Sequence, residues 1–115
     1  MIGPLSLRIA GDPDHLATAR SFAGSIARVL GLDERLRQDI RLAVSELATV
    51  LIRSGVSEVR FVAEVDDNKP LLRLQTNGSM PLIPSETSEL LTAIGNAVWS
   101  TEQPWVIRLG GAVVS

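Results

Sequence analysis

Arg41 to Gly55, RLAVSELATVLIRSG, constrains this chain more than any other stretch. It is the most hydrophobic long segment, and it sets one carboxylate, Glu46, inside an apolar helical pattern. Upstream, Leu36 and Ile40 begin a stripe that continues through Ala43, Val44, Leu47 and Leu51, at the offsets that place side chains on one face of a helix. The first half of this helix is charged elsewhere (Arg35, Arg37, Asp39, Arg41). The second half is apolar almost all round, apart from Ser45, Glu46 and Thr49. A helix that loses its polar face is covered on more than one side. Asp33 is placed to cap its start and Gly55 to end it.

The rest of the chain arranges itself around this helix. Leu5, Leu7 and Ile9 alternate with Ser6, Arg8 and Ala10, which predicts a strand with one apolar face, ended by Gly11. A first helix follows, capped by Asp12 with Pro13 at its first position or by Asp14 one turn later. Its apolar positions are Leu16, Ala19, Phe22 or Ala23, Ile26 and Leu30, and Gly31 stops it. Small residues (Ala17, Ala19, Ala23, Gly24, Ala27) allow another element to approach it closely. Beyond the central helix, Val59 to Val65 and Leu71 to Thr76 alternate as strands of a hairpin turned by DDNKP and closed by Asn77-Gly78. A proline loop, SMPLIPSE, leads to a third helix from Glu86 or Ser88 to Trp99, with Leu90, Leu91, Ile94 and Val98 inward. Trp105, Ile107 and Leu109 predict a last strand, before Gly110-Gly111 and a short apolar tail, Ala112 to Ser115.

The order β-α-α-β-β-α-β lacks strict βαβ alternation, and its strands alternate as half-covered strands do. The expected fold is α+β: a two-layer sandwich of a mostly antiparallel sheet with its helices on one face, residues 1–115 forming a single domain. A chain of 115 residues can bury a core without staples. The absence of cysteine excludes disulfides, thiolate metal sites and cysteine nucleophiles, and a single histidine excludes a histidine-rich metal centre. Net charge −2 with scattered signs offers no basic field for nucleic acid or anionic lipid. The N-terminus has no signal-peptide pattern and no apolar run is long enough to span a bilayer, so a cytoplasmic protein is expected.

SELATVLIRSG on the second helix, NGSMPLIP after the hairpin and PWVIRL in the last strand together resemble the histidine-kinase-like ATPase fold, and within it the anti-sigma-factor serine kinase branch. The resemblance covers nearly the whole chain. It places Ser45, Glu46, Leu47 and Thr49 in register with the family's first box, a phrase like SELxTNAxxHA, and Asn77, Gly78, Ser79, Leu82 and Pro84 in register with a turn of the type DGSPRLP. In the family, the first box pairs a Glu that orients the reacting group with an Asn, four residues on, whose oxygen holds magnesium. Val50 stands at the Asn position and offers no oxygen, which magnesium requires. Asn77 stands where the family has an adenine-binding Asp. The family's glycine-rich phosphate turn corresponds here to PSETSELLTAIG, which has no glycine before Gly95 and puts Glu86 and Glu89 where phosphate would lie. The loop Ser79–Ser88 is too short for a lid over a triphosphate.

The resemblance therefore implies a degenerate member: a pseudokinase whose catalytic residues are lost, Glu46 being a vestige, and whose relic pocket is Glu46, Val50, Arg53, Asn77 and Gly78. No metal site and no cofactor are expected. The alternative is a regulator that keeps ATP or ADP without magnesium, or a serine-protein kinase that still binds nucleotide. The implied function is regulatory protein binding in bacterial transcription control, with a sigma factor or an anti-sigma antagonist as partner. A homodimer through the first strand and helix is expected, with no direct nucleic acid and no membrane contact.

Individual residues also carry plainer readings. Glu46 reads first as a carboxylate on the solvent side of a half-buried helix, near Arg53. Ser45 has no base in register and reads as structural. His15 has no second ligand residue and reads as a surface or capping residue. The acids of DDNKP lack the spaced oxygens of a calcium loop. Trp99 and Trp105 read as core before interface anchors. Leu82 and Ile83 read as exposed apolar residues available to a partner.

Overall fold

Leu5–Ala10 forms β1, and its exit is set by sterics. Gly11 donates its N–H to the Ser57 carbonyl at 3.0 Å, and a Cβ on Gly11 would lie 1.9 Å from the Val56 carbonyl oxygen. Only glycine lets the chain cross the Val56–Ser57 backbone this closely. Asp12 then accepts from the Asp14 N–H at 2.9 Å and caps a 3-10 turn, Pro13–His15, so of the two candidate capping residues it is Asp12 that acts. Helix α1 (Leu16–Val29) runs on from this turn without a side-chain cap of its own. It ends in a Schellman motif: Gly31, at φ +74°, donates to Arg28 O at 3.0 Å, and Leu32 donates to Ala27 O at 3.1 Å.

The coordinates are a computed structural model that describes residues 5–94 and 98–109. Gly95, Gly110-Gly111 and the tail 112–115 lie outside the described residues. Helix α2 (Glu34–Arg53) is capped by Asp33, whose carboxylate accepts from Leu36 N at 2.9 Å. Its expected stripe is present: Ile40, Ala43, Val44, Leu47 and Leu51 are fully buried and Leu36 packs partly against the core. Ala48 and Ile52 extend it. Gly55, at φ +89°, closes the helix.

Strands β2 (Glu58–Asp66) and β3 (Lys69–Thr76) form a hairpin whose register, Asp66 opposite Lys69, leaves Asp67 and Asn68 as a two-residue turn. Both have positive φ, the conformation a tight hairpin turn of this length demands and one that Asp and Asn tolerate. Helix α3 (Ser85–Ile94) and β4 (Val106–Arg108) complete the order β-α-α-β-β-α-β. The sheet runs β1-β2-β3-β4 with every neighbour antiparallel. Pairing along β4 continues on either side of it, because Trp105 O accepts from Leu74 N at 2.9 Å and Leu109 N donates to Pro70 O at 3.0 Å.

Ile9, Val59, Phe61, Ala63, Leu72, Leu74 and Ile107 turn one face of the sheet into the core under the helices. The other face is mostly polar, with Arg8 paired to Glu58 at 3.6 Å and Arg73 to Glu64 at 3.0 Å around Val62, Leu71 and Val106. The α+β two-layer expectation therefore holds.

The region after β3 departs from expectation. Helix α3 begins at Ser85, and Trp99 is not helical but bridges Ile107 in the sheet. The ring is buried, and its indole N–H donates to Pro104 O at 2.8 Å, which ties Trp99 to the loop before β4. Leu91 and Val98 are inward, and Ile94 packs partly against the core. Leu90 instead faces outward, 39% exposed, because one turn of a short helix lying on the core can turn in only one of two adjacent leucines. Ile83 packs against the core, whereas its neighbour Leu82 is 93% exposed. No described helix is long and apolar enough to cross a membrane.

Candidate functional site

Glu46, Val50 and Arg53 recur at i, i+4 and i+7 and so form one strip along α2. Glu46 and Val50 are half-buried and Arg53 is exposed. Among the described residues Glu46 forms neither an ion pair with Arg53 nor any side-chain hydrogen bond. Ser45, one position away, points to the other side. Its hydroxyl accepts from Arg20 of α1 at 3.2 Å, and its carbonyl accepts from the Thr49 hydroxyl at 2.7 Å. Those contacts make Ser45 part of the α1–α2 seam and give it no base.

Asn77 follows β3 and is tied down locally. Its amide donates to the Ser57 hydroxyl at 2.9 Å. Its amide oxygen lies 3.2 Å from the Thr76 hydroxyl, whose single proton is shared between that oxygen and Glu58 O at 2.9 Å. Gly78 and Ser79 are exposed beside it. The acceptor that the resemblance sets at the family's adenine-binding position thus has a hydroxyl neighbour already. At the start of α3, Glu86 and Glu89 both lie on the surface side of the helix. His15 is exposed within the 3-10 turn.

The order of elements, the antiparallel sheet and the position of SELATVLIRSG on the helix that spans it can be set beside known families. A family model for the histidine kinase-like ATPase domain matches residues 9–79, more than half of the chain. The chain belongs to that family. The match runs from the end of β1 to the turn after β3, and so includes α2 and Asn77-Gly78. Among curated proteins, none matches this chain.

Within this family fold, four clefts among the described residues lie away from the strip on α2. One, of about 440 Å3, lies between α1 and the sheet and is lined by Leu5, Phe22, Ile26, Val29, Val65 and Leu109 among others. It is almost wholly apolar, and four of its large apolar residues remain open to solvent: Leu5, Val29, Leu30 and Val65. A second, of about 270 Å3, is lined by Gly24, Arg28, Glu34, Arg37 and Arg41 at the α1–α2 seam. A third, of about 550 Å3, lies by the hairpin turn and the loop before β4, lined by Asp66, Asp67, Lys69, Glu102 and Arg108 among others. A fourth, of about 580 Å3, is a shallow depression on the polar sheet face at Ser6, Arg8, Arg60 and Val62. None of these four is lined by Glu46, Val50, Arg53, Asn77 or Gly78.

The sequence pattern does not single out the two clefts on α1. The apolar one is legible in part, since Val29 and Leu30 stand immediately before the Gly31 stop, where a surface helix usually turns polar. The small residues of α1 admit a close neighbour, and that neighbour is α2. Ala19, Ala23 and Ala27 are fully buried, and a Cβ on Gly24 would meet Arg41 Cδ at 3.3 Å.

Proposed function

We propose that this histidine kinase-like ATPase domain is a non-catalytic regulatory module that acts by binding protein partners. The observation that carries this reading is Val50. It occupies the place on α2 where the family resemblance puts a magnesium-holding Asn, it is half-buried, and it brings no oxygen to a cation that takes oxygen ligands. The residues of the relic pocket do not fit a magnesium nucleotide. Glu46 faces no partner among the described residues, the Asn77 amide is engaged with Ser57 and Thr76, and carboxylates rather than glycine N–H groups stand at the start of α3.

The open apolar group of Leu5, Val29, Leu30 and Val65 supports the protein-binding half of the reading, because a small domain seldom leaves such residues clustered around a groove unless another surface covers them. It involves β1 and α1, which is where the family resemblance implies a homodimer. By the same resemblance the process is bacterial transcription control in the cytoplasm, with a sigma factor or its antagonist as the further partner.

The test is thermal melting with ATP or ADP at about millimolar concentration, with magnesium present or chelated. A ligand bound well below its working concentration raises the melting point by mass action; none is expected to do so here. A magnesium-dependent rise of several degrees would overturn the proposal. A rise that survives chelation would replace it with a regulator that holds nucleotide without the metal. Sedimentation of wild type against Val29→Glu tests the apolar surface: wild type should self-associate and the variant should be a monomer.

A further inference from the structure

Three arginines line the small cleft at the α1–α2 seam: Arg28 in the last turn of α1, and Arg37 and Arg41 one turn apart on α2. One carboxylate, Glu34, shares it and pairs with Arg37. Arg28 and Arg41 have no ion-pair partner among the described residues. The lining thus carries a formal charge of +2 on a chain whose net charge is −2. Gly24 shapes the floor. With no side chain there, the Arg41 stem lies directly on α1, and a Cβ would crowd its Cδ at 3.3 Å. The stem is thereby packed along one line. Less side-chain freedom remains to be lost when the guanidinium binds an anion.

We propose that this cleft binds a phosphate-class oxyanion, gripped by Arg28 and Arg41 with Arg37 as the third donor. Planar guanidinium forks match the oxygen geometry of phosphate, and two or three forks from different directions suit a tetrahedral group better than a planar carboxylate. A dianion neutralises the +2 lining. The site lies on the α1 side of α2, away from Glu46 and Val50, so it does not depend on the absence or presence of a nucleotide pocket.

The test is calorimetric titration of the full chain with inorganic phosphate and, separately, with phenyl phosphate, each against sodium chloride at matched ionic strength. Saturable phosphate binding is expected, lowered about tenfold by Arg41→Gln and by Arg28→Gln. Arg35→Gln, on another face of α2, should leave it unchanged. If phenyl phosphate binds as well as the free ion, the cleft accepts a phosphate carried on a larger molecule; if only inorganic phosphate binds, the ligand is the free ion. Either result supports an oxyanion site. The proposal is overturned if chloride reproduces the heat, or if the Arg28 variant binds phosphate like wild type. It is equally overturned if Arg35→Gln weakens binding as much as the cleft variants do. Should Arg41→Gln fail to fold, Arg28→Gln still decides, since Arg28 is exposed and no described side-chain contact depends on it.

Discussion

The two flanks of α2 are built on opposite terms. On the α1 flank, Arg37, Arg41 and Ser45 meet Arg28, Gly24 and Arg20, and polar groups find partners or line a cleft over fully buried alanines. On the other, about 150° around the helix at 3.6 residues per turn, Glu46, Val50 and Arg53 make no side-chain hydrogen bond among the described residues. The resemblance sets the family's Glu and Asn box on that second flank, at Glu46 and Val50. The contrast teaches that one helix can carry a flank of paired polar groups and a flank whose polar groups stand without partners among the described residues. The sheet and the core stripe of α2 carry the fold, while half-buried Val50 is the residue on which the proposed reading of the other flank rests.

The junction that both flanks share should be the most sensitive point. The Val56–Ser57 segment accepts the Gly11 N–H on one side and, through the Ser57 hydroxyl, the Asn77 amide on the other. Gly11→Ala drives a methyl into the Val56 carbonyl and should cost about 3 kcal/mol, lowering the melting temperature by roughly 10 to 15 °C. A loss under about 1 kcal/mol would mean that the crossing can open without disturbing either flank. Next in size is Ala23→Leu, which overfills the tight α1–α2 seam and should cost about 2 kcal/mol by denaturant unfolding, with phosphate binding weakened because the arginines are pushed apart.

Much of this architecture is written in the sequence because periodicity encodes burial. The α2 stripe, the Asp33 cap, the Gly31 and Gly55 stops and the inward residues of β1 to β3 follow from local rules that tertiary contacts here reinforce. Trp99 reads as helical in the sequence because it follows an apolar run, yet its bridge to Ile107 and its bond to Pro104 O depend on a partner strand that local pattern cannot see. Leu90 and Ile83 depart from expectation in opposite directions for a related reason: adjacent apolar pairs, Leu90-Leu91 and Leu82-Ile83, do not say which member turns inward. Val50 and Asn77 are visible as positions by register with the family, whereas the engagement of the Asn77 amide by Ser57, twenty residues away, is not. The arginine cleft joins residues of two helices and needs the crossing of α1 over α2 to exist at all.

A smaller effect probes the bare flank itself. Val50→Asn with Asn77→Asp returns the family's residue types to both positions. Placing an amide at half-buried Val50 should cost about 1 kcal/mol, seen as a modest drop in melting temperature. The pair should gain no magnesium- and ATP-dependent stabilisation, since the new carboxylate would face Ser57 and Thr76 as the Asn77 amide does and the start of α3 would remain acidic. A clear nucleotide-dependent rise would show instead that two side chains alone separate this flank from a working pocket.

The smallest effect belongs to Glu34, and it separates seam from cleft by sign. A hydrogen bond from Gln38 at 2.7 Å, and then the bond and charge of Arg37, hold its carboxyl below the usual carboxylate value. A folded pKa below the unfolded one means that the ionised group adds stability above the unfolded value, and that this is lost as pH falls through the folded value. Wild type should therefore exceed Glu34→Gln slightly in melting temperature at neutral pH, with the gap closing in acid below the ordinary glutamate range and shrinking in high salt, because the group is exposed and screened. Phosphate affinity should move the other way. Glu34 competes for Arg37 and is the one carboxylate in the cleft lining, so removing its charge should tighten phosphate binding while it slightly weakens the fold. If Glu34→Gln lowers both stability and phosphate affinity, the arginines are held for the sake of the helix seam, and the cleft is packing rather than a site.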